Sequence, residues 1–177
     1  TSGSVLYNVD DPNTARLCGK LKRAVSYGFS EQADYHGADV ELRNFGSSFL
    51  VSRRGEKLGQ ATLNVPGEHN VHNALGVIAL ASELSIPFDK ITASLREFEH
   101  ARRRFEVKYS SDRFLLVDDY AHHPTEIRAT LRAAKSIGRR RLVTMFQPHR
   151  FSRTKALCRE FGSAFDDADR VMVTDVY

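Results

Sequence analysis

Between Phe114 and Ile137 the sequence passes from a run of apolar residues to apolar residues at helical spacing, and the polar residues gather at the change. Phe114 to Val117 reads as a buried strand, and Ile127, Leu131, Ala134 and Ile137 as one face of a helix. Asp118-Asp119-Tyr120-Ala121-His122-His123-Pro124-Thr125-Glu126 lies between them, with Pro124 where a first helical turn needs no donor. In an open α/β sheet, such a turn is where ligands meet the free N–H groups of a helix start. A single Asp there is an ordinary cap and a single His an ordinary surface residue. Two carboxylates and two imidazoles together point to chemistry.

The alternation continues downstream. The helix from Pro124 to Ile137 stops at Gly138, Arg141 to Phe146 reads as a strand, and Thr154 to Phe165 as a helix with Leu157, Phe161 and Phe165 facing inward. Val171 to Thr174 is a further strand. The fold class is therefore α/β, with successive βαβ units implying a parallel sheet and right-handed crossovers. Asp118 to His123, Gln147 to Arg153 and Asp175 all fall at carboxyl ends of strands.

The first hundred residues are patterned differently. Val5 to Val9 predicts a strand, Asp11 an N-cap before Pro12, and Ala15, Leu17, Leu21 and Ala24 a helix, followed by a strand at Val25 to Phe29. Ala38 to Val65 alternates with period two around an Arg54-Gly55-Glu56-Lys57 turn, which predicts a hairpin or small antiparallel patch. Pro66-Gly67-Glu68-His69-Asn70-Val71-His72-Asn73 then opens a long helix with Val71, Ala74, Leu75, Ile78, Ala81 and Leu84 as its inner face, closed by Pro87. Asn70 and Asn73, three apart, share a face near its start, where amides suit either capping or a purine edge or phosphate. A second helix follows from Asp89, with Phe88, Ile91, Leu95 and Phe98 facing in. His100-Ala101-Arg102-Arg103-Arg104-Phe105 is the expected boundary, dividing the chain into 1–102 and 103–177. A sheet that opens on an unpartnered strand, and a chain that stops just after another, read as a piece of something longer.

Composition narrows the function classes. A hydrophobic content of 41% in 177 residues supports real cores. No run approaches the ~20 apolar residues of a membrane helix, and no export leader is visible. Cys18 and Cys158 lie far apart and read as reduced thiols of a cytoplasmic protein. The net charge of +4 is carried by arginine clusters at 102–104 and 139–141 and by Arg150 and Arg153. Guanidinium forks suit phosphates and carboxylates, although Arg139 to Arg141, leading into a strand, reads as a solvated face. Aromatic residues are not interleaved with the arginines as stacking platforms would be, which argues against nucleic acid. A non-catalytic basic module that binds nucleic acid or an acidic partner is the alternative to an enzyme. A histidine-based metallohydrolase would rest on His122-His123 and His149, but adjacent histidines point in different directions from a turn and no third ligand is apparent, so no metal ligand is assigned.

Four motifs, in order, carry a resemblance. Pro66-Gly67-x-His69-Asn70-x-x-Asn73-Ala74, Arg103-Arg104-Phe105, the Asp118 to Glu126 turn, and Phe146-Gln147-Pro148-His149-Arg150-Phe151-Ser152-Arg153-Thr154 together resemble the Mur ligase family. Asp10-Asp11-Pro12 and Tyr27-Gly28-Phe29-Ser30 fit it as well. The resemblance implies the later part of a central ATPase domain, a mixed sheet with hairpin and helices, followed by the first part of a Rossmann-like C-terminal domain. It implies an enzyme of peptidoglycan biosynthesis that uses ATP and Mg²⁺ to activate a carboxylate as an acyl phosphate, which an amine then attacks. The resemblance further implies UDP-N-acetylmuramate and L-alanine as the partners joined, with Gln147-Pro148-His149-Arg150 as the element that separates such a ligase from a relative that recycles whole peptides onto the same sugar nucleotide. By motif, His69, Asn70 and Asn73 would serve the adenine, Arg104 the γ-phosphate side and Asp119 the ribose. His123, His149, Arg150 and Arg153 would surround the carboxylate and the amino acid, with His123 and His149 as the catalytic candidates. Asp118, His122 and Glu126 would hold the turn. The family's phosphate loop and Mg²⁺ ligands are expected outside this stretch, since no glycine here is followed by Lys and then Ser or Thr. His100 and Phe151 depart from the family's usual glycine and tyrosine.

Overall fold

The computed structural model describes residues 3–99, 101–138 and 141–177. His100, with its departure from the family pattern, and Arg139 and Arg140 of the expected solvated face lie outside the described residues. The chain folds as two compact units, Thr1–Glu99 and His100–Tyr177.

The first unit is a five-stranded mixed sheet in the order β1-β2-β3-β4-β5. β1 (Val5–Asn8), β2 (Ala24–Gly28) and β3 (Tyr35–Arg43) run parallel, while β4 (Gly46–Arg53) and β5 (Glu56–Leu63) extend the sheet antiparallel. α1 (Pro12–Cys18) starts on Asp11, whose carboxylate accepts from the N–H groups of Asn13 and Thr14 at 2.9 and 2.8 Å. α2 (Glu68–Glu83) lays Val71, Ala74, Leu75, Ile78 and Ala79 against Tyr35, Phe49, Val51, Ala61 and Leu63 of the sheet, and α3 (Phe88–Glu97) adds Ile91 and Leu95. The approach is close: a Cβ on Gly37 would stand 2.6 Å from Leu75 Cδ1. Leu84, expected on the inner face, is 67% exposed, and Ala79 takes the buried place. Leu84 caps the end of α2, past the last turn that faces the sheet. The expected hairpin is β4–β5, joined by Arg54 and Gly55.

In the second unit, β7 (Leu115–Asp118) leads to α4 (Pro124–Ser136), then β8 (Val143–Phe146), α5 (Phe151–Ala156), α6 (Cys158–Gly162) and β9 (Arg170–Val173). β8 and β9 pair in parallel, as a βαβ unit should. β7 pairs antiparallel with β6 (Glu106–Ser110), a strand whose alternation is too short to stand out in sequence. Among the described residues β7 and β8 share no ladder; they flank a cleft of about 1090 Å³. This is why Phe114 and Leu116, expected to be buried, are 59% and 56% exposed. The helix expected from Thr154 to Phe165 is broken at Leu157, where φ −110° and ψ 21° leave the helical region. Phe161 and Phe165 still pack on Phe146, beside Ile127, Leu131 and Ala164.

Candidate active site

The turn after β7 is built by its own side chains. Pro124 is the first residue of α4, and His123, the N-cap, accepts from Thr125 N–H through Nδ1 at 3.3 Å. Glu126 completes a capping box: its Oε2 accepts from the N–H groups of His122 and His123 at 3.0 and 3.3 Å. The other oxygen, Oε1, stands 3.7 Å from Arg104 Nη1. Burial works against ionisation of Glu126, but the His122 N–H bond and the His122 and Arg104 side chains outweigh it and hold the carboxyl below its usual range. His122 Nδ1 lies 2.8 Å from the Tyr120 carbonyl oxygen and 3.6 Å from Glu126 Oε2.

The arginine stretch belongs to this turn. Tyr120 N–H donates to the Arg103 carbonyl at 2.7 Å, and Phe105 N–H donates to Asp119 Oδ2 at 2.8 Å. The Arg103 guanidinium sits 4.5 Å from the centre of the Tyr120 ring and 4.0 Å from Asp118. Arg103 and Phe105 both adopt positive φ, at 58° and 48°, so Arg104 is held between two left-handed residues, with Phe105 buried behind it. Asp119, expected at a ribose, already accepts from Phe105 and from Ala121 N–H, the latter through Oδ1 at 2.7 Å.

The second cluster follows β8. Arg150 takes φ 69°, and its N–H donates to the Tyr177 carbonyl, while Tyr177 N–H donates to that of Pro148. The His149 and Tyr177 rings lie 5.6 Å apart. Asp118, Asp119, His122 and His149 all line the cleft between β7 and β8; His123 does not, and is exposed at the helix start. Arg150 is exposed as well, whereas Nη1 of Arg153 is shut off from water and meets no acceptor among the described residues. Among those residues no group of three or more His, Cys, Asp and Glu gathers as a metal site.

In the first unit, Asn70 and Asn73 do share a face at the start of α2: Asn73 Nδ2 reaches Asn70 Oδ1 at 3.4 Å, and Asn70 Nδ2 donates to the Pro66 carbonyl at 2.7 Å. Gly67, not Asn70, is the N-cap. His69 is half-buried beside them. A feature that sequence reasoning missed lies at the carboxyl ends of β1 and β2, where Asp10 accepts from Phe29 and Ser30 N–H at 2.6 and 3.0 Å. The His72 ring packs at a tilt against Phe29, with centroids 4.0 Å apart, and stands 3.7 Å from Asp10.

Comparison with known proteins matches residues 1–81 to the Mur ligase middle domain and 103–176 to the Mur ligase glutamate ligase domain. The chain belongs to the Mur ligase family. It is 46% identical over 176 residues to a UDP-N-acetylmuramate–L-alanine ligase of Syntrophotalea carbinolica and 48% identical over 177 to one of Sulfurihydrogenibium. Each match takes in 99% of this chain and 38% of the relative, so the chain spans under two fifths of the length of these two relatives. A UDP-N-acetylmuramate-alanine ligase from Thermotoga maritima superposes with a TM-score of 0.80 at 32% identity, over 98% of this chain and 38% of that one. A folylpolyglutamate synthetase from Lactobacillus casei shares the fold alone, with a TM-score of 0.59, 15% identity, and coverage of 97% of this chain and 51% of that one.

Proposed function

We propose that this chain is part of an ATP-dependent, Mg²⁺-requiring ligase that joins the lactyl carboxylate of UDP-N-acetylmuramate to L-alanine in peptidoglycan biosynthesis. The observation that supports this reading is Arg153, on the helix that follows Gln147-Pro148-His149-Arg150, whose buried Nη1 meets no acceptor among the described residues. A desolvated guanidinium nitrogen without a partner is costly, and a carboxylate is the anion its fork fits. The named activity of the relatives at 46 and 48% identity supplies the two substrates.

In this reading ATP supplies the phosphoryl group that makes the carboxylate a good acyl donor. His69, Asn70 and Asn73 face the adenine; Arg104 meets the phosphate side, where negative charge collects. Asp119, its two oxygens each engaged by one N–H, keeps lone pairs for a ribose hydroxyl. His149, Arg150 and Arg153 hold the carboxylate and the amino acid. His123, whose Nδ1 already accepts from Thr125 N–H, offers an Nε2–H donor to the same group. The Mg²⁺ ligands are assigned outside this chain. The cytoplasm, where UDP-sugars and ATP are made, is the compartment this reading implies.

The test is phosphate release by the longer protein with ATP, Mg²⁺, UDP-N-acetylmuramate and L-alanine. Arg104→Ala and His149→Ala are each expected to lower kcat/KM at least about 100-fold. Unchanged rates in both would overturn the assignment.

A further inference from the structure

His122 and His123 are adjacent, yet their hydrogen bonds require opposite tautomers. The Tyr120 carbonyl can only accept, so the His122 Nδ1 that lies 2.8 Å from it carries the proton, and a neutral ring then has its lone pair on Nε2. Thr125 N–H can only donate, so the His123 Nδ1 that receives it is bare, and Nε2 carries the hydrogen. Placement agrees with this division. His122 is half-buried and lines the cleft with His149 and Asp119, while His123 is exposed outside it. Glu126 lies 3.6 Å from the His122 Nδ1, and the Tyr120 ring meets the His122 ring edge-on at 4.9 Å.

We propose that His122 is the proton acceptor of amide formation, oriented by the Tyr120 carbonyl and Glu126. The inference rests on the ligase reading. The amine nitrogen bonds to the acyl carbon, and the bond from that carbon to the phosphate oxygen breaks, its electron pair leaving with inorganic phosphate. The proton lost by the nitrogen goes to Nε2 of His122. The resulting imidazolium keeps its Nδ1–H on the Tyr120 carbonyl, beside the Glu126 carboxylate. The charged groups around it are Glu126, Arg104 behind Glu126, and Arg103 over the Tyr120 ring. Glu126 is a positioning residue. Since Gln serves a capping box as Glu does, Glu126→Gln keeps the helix start and removes only the charge.

In the longer protein, His122→Gln is expected to lower kcat about 100-fold or more, leave KM for ATP within about threefold, and abolish the acid limb of the rate profile. His123→Gln, which removes a binding contact and not the base, is expected to raise KM and to keep that limb. In Glu126→Gln kcat is expected to fall with KM for ATP unchanged. Imidazole added to His122→Ala restores part of the rate, which separates a missing base from a misfolded turn. An acid limb lost in His123→Gln, or one that survives in His122→Gln, overturns the proposal. If the unsubstituted protein releases no phosphate with the four substrates, the ligase reading fails by itself. The tautomers are then decided by long-range ¹H–¹⁵N correlation on this 177-residue chain. Nδ1–H on His122 with Nε2–H on His123 supports the assignment, and the reverse overturns it.

Discussion

Asp34 shows how much one carboxylate can organise. It accepts from Ser26 N–H and Oγ–H at 2.9 and 3.0 Å and from Arg54 Nε at 2.9 Å, tying β2 to the β4–β5 turn. Burial raises the cost of its charge, but the Ser26 and Arg54 bonds outweigh this and hold the carboxyl below the usual range. A folded value below the unfolded one means that the stabilisation is complete above the unfolded pKa, near 4, and is lost as pH falls through the folded value. Glu126 shifts in the same direction. The urea midpoint is therefore expected to be flat from about pH 7 to 5 and to fall below about pH 4. Asp34→Asn should cost about 1–3 kcal/mol at neutral pH and flatten that acid decline; an unchanged decline would show that Asp34 does not carry it. At this scale the sequence is readable where a residue acts on its immediate neighbours: Asp11 and Pro124 are where local rules put them. It is silent on partners across the chain, such as Glu126 for Arg104, and on tautomers, which depend on where one carbonyl points.

Elements were legible in proportion to their length and to how much one face is buried. α2 and the β4–β5 hairpin emerge from periodicity, and the hairpin's two-residue loop has the paired positive φ of a type I′ turn, 49° at Arg54 and 84° at Gly55. β6 is nearly all exposed and leaves no alternation to read. The split of α5 from α6 is not visible either, because Leu157, Phe161 and Phe165 keep helical spacing across the break. What the pattern cannot express is how closely elements approach. Gly37→Ala places a methyl against Leu75 in the core, with α2 and β3 already in contact. It is expected to destabilise the first unit by about 1–3 kcal/mol, and Leu75→Ala by about 2–5 kcal/mol. Chemical denaturation of the two variants measures both. If Leu75→Ala also relieves Gly37→Ala, so that the double variant loses less than the sum, the two residues compete for one space.

For the whole molecule, the excess of positive charge admits two explanations that salt separates. An arginine face made to bind nucleic acid releases counterions, so its affinity falls steeply with salt. Several of the arginines are engaged locally: Arg103 with Asp118 and Tyr120, Arg104 with Glu126, and Arg53 and Arg54 with Glu83 and Asp34. A net charge of +4 over 177 residues is modest for a surface that must grip a phosphate backbone. Filter binding with mixed oligonucleotides is therefore expected to give only weak retention, with little dependence on salt. Tight, salt-steep retention would return the basic-module alternative to first place. The same preparation decides the complementary point. A chain with no Gly-Lys-Ser/Thr phosphate loop lacks the backbone cradle for the β- and γ-phosphates of ATP, which Arg104 alone does not replace. It should release no ADP on its own, whereas the longer protein does, and ADP release by the clean 177-residue chain would place the phosphate grip among residues described above.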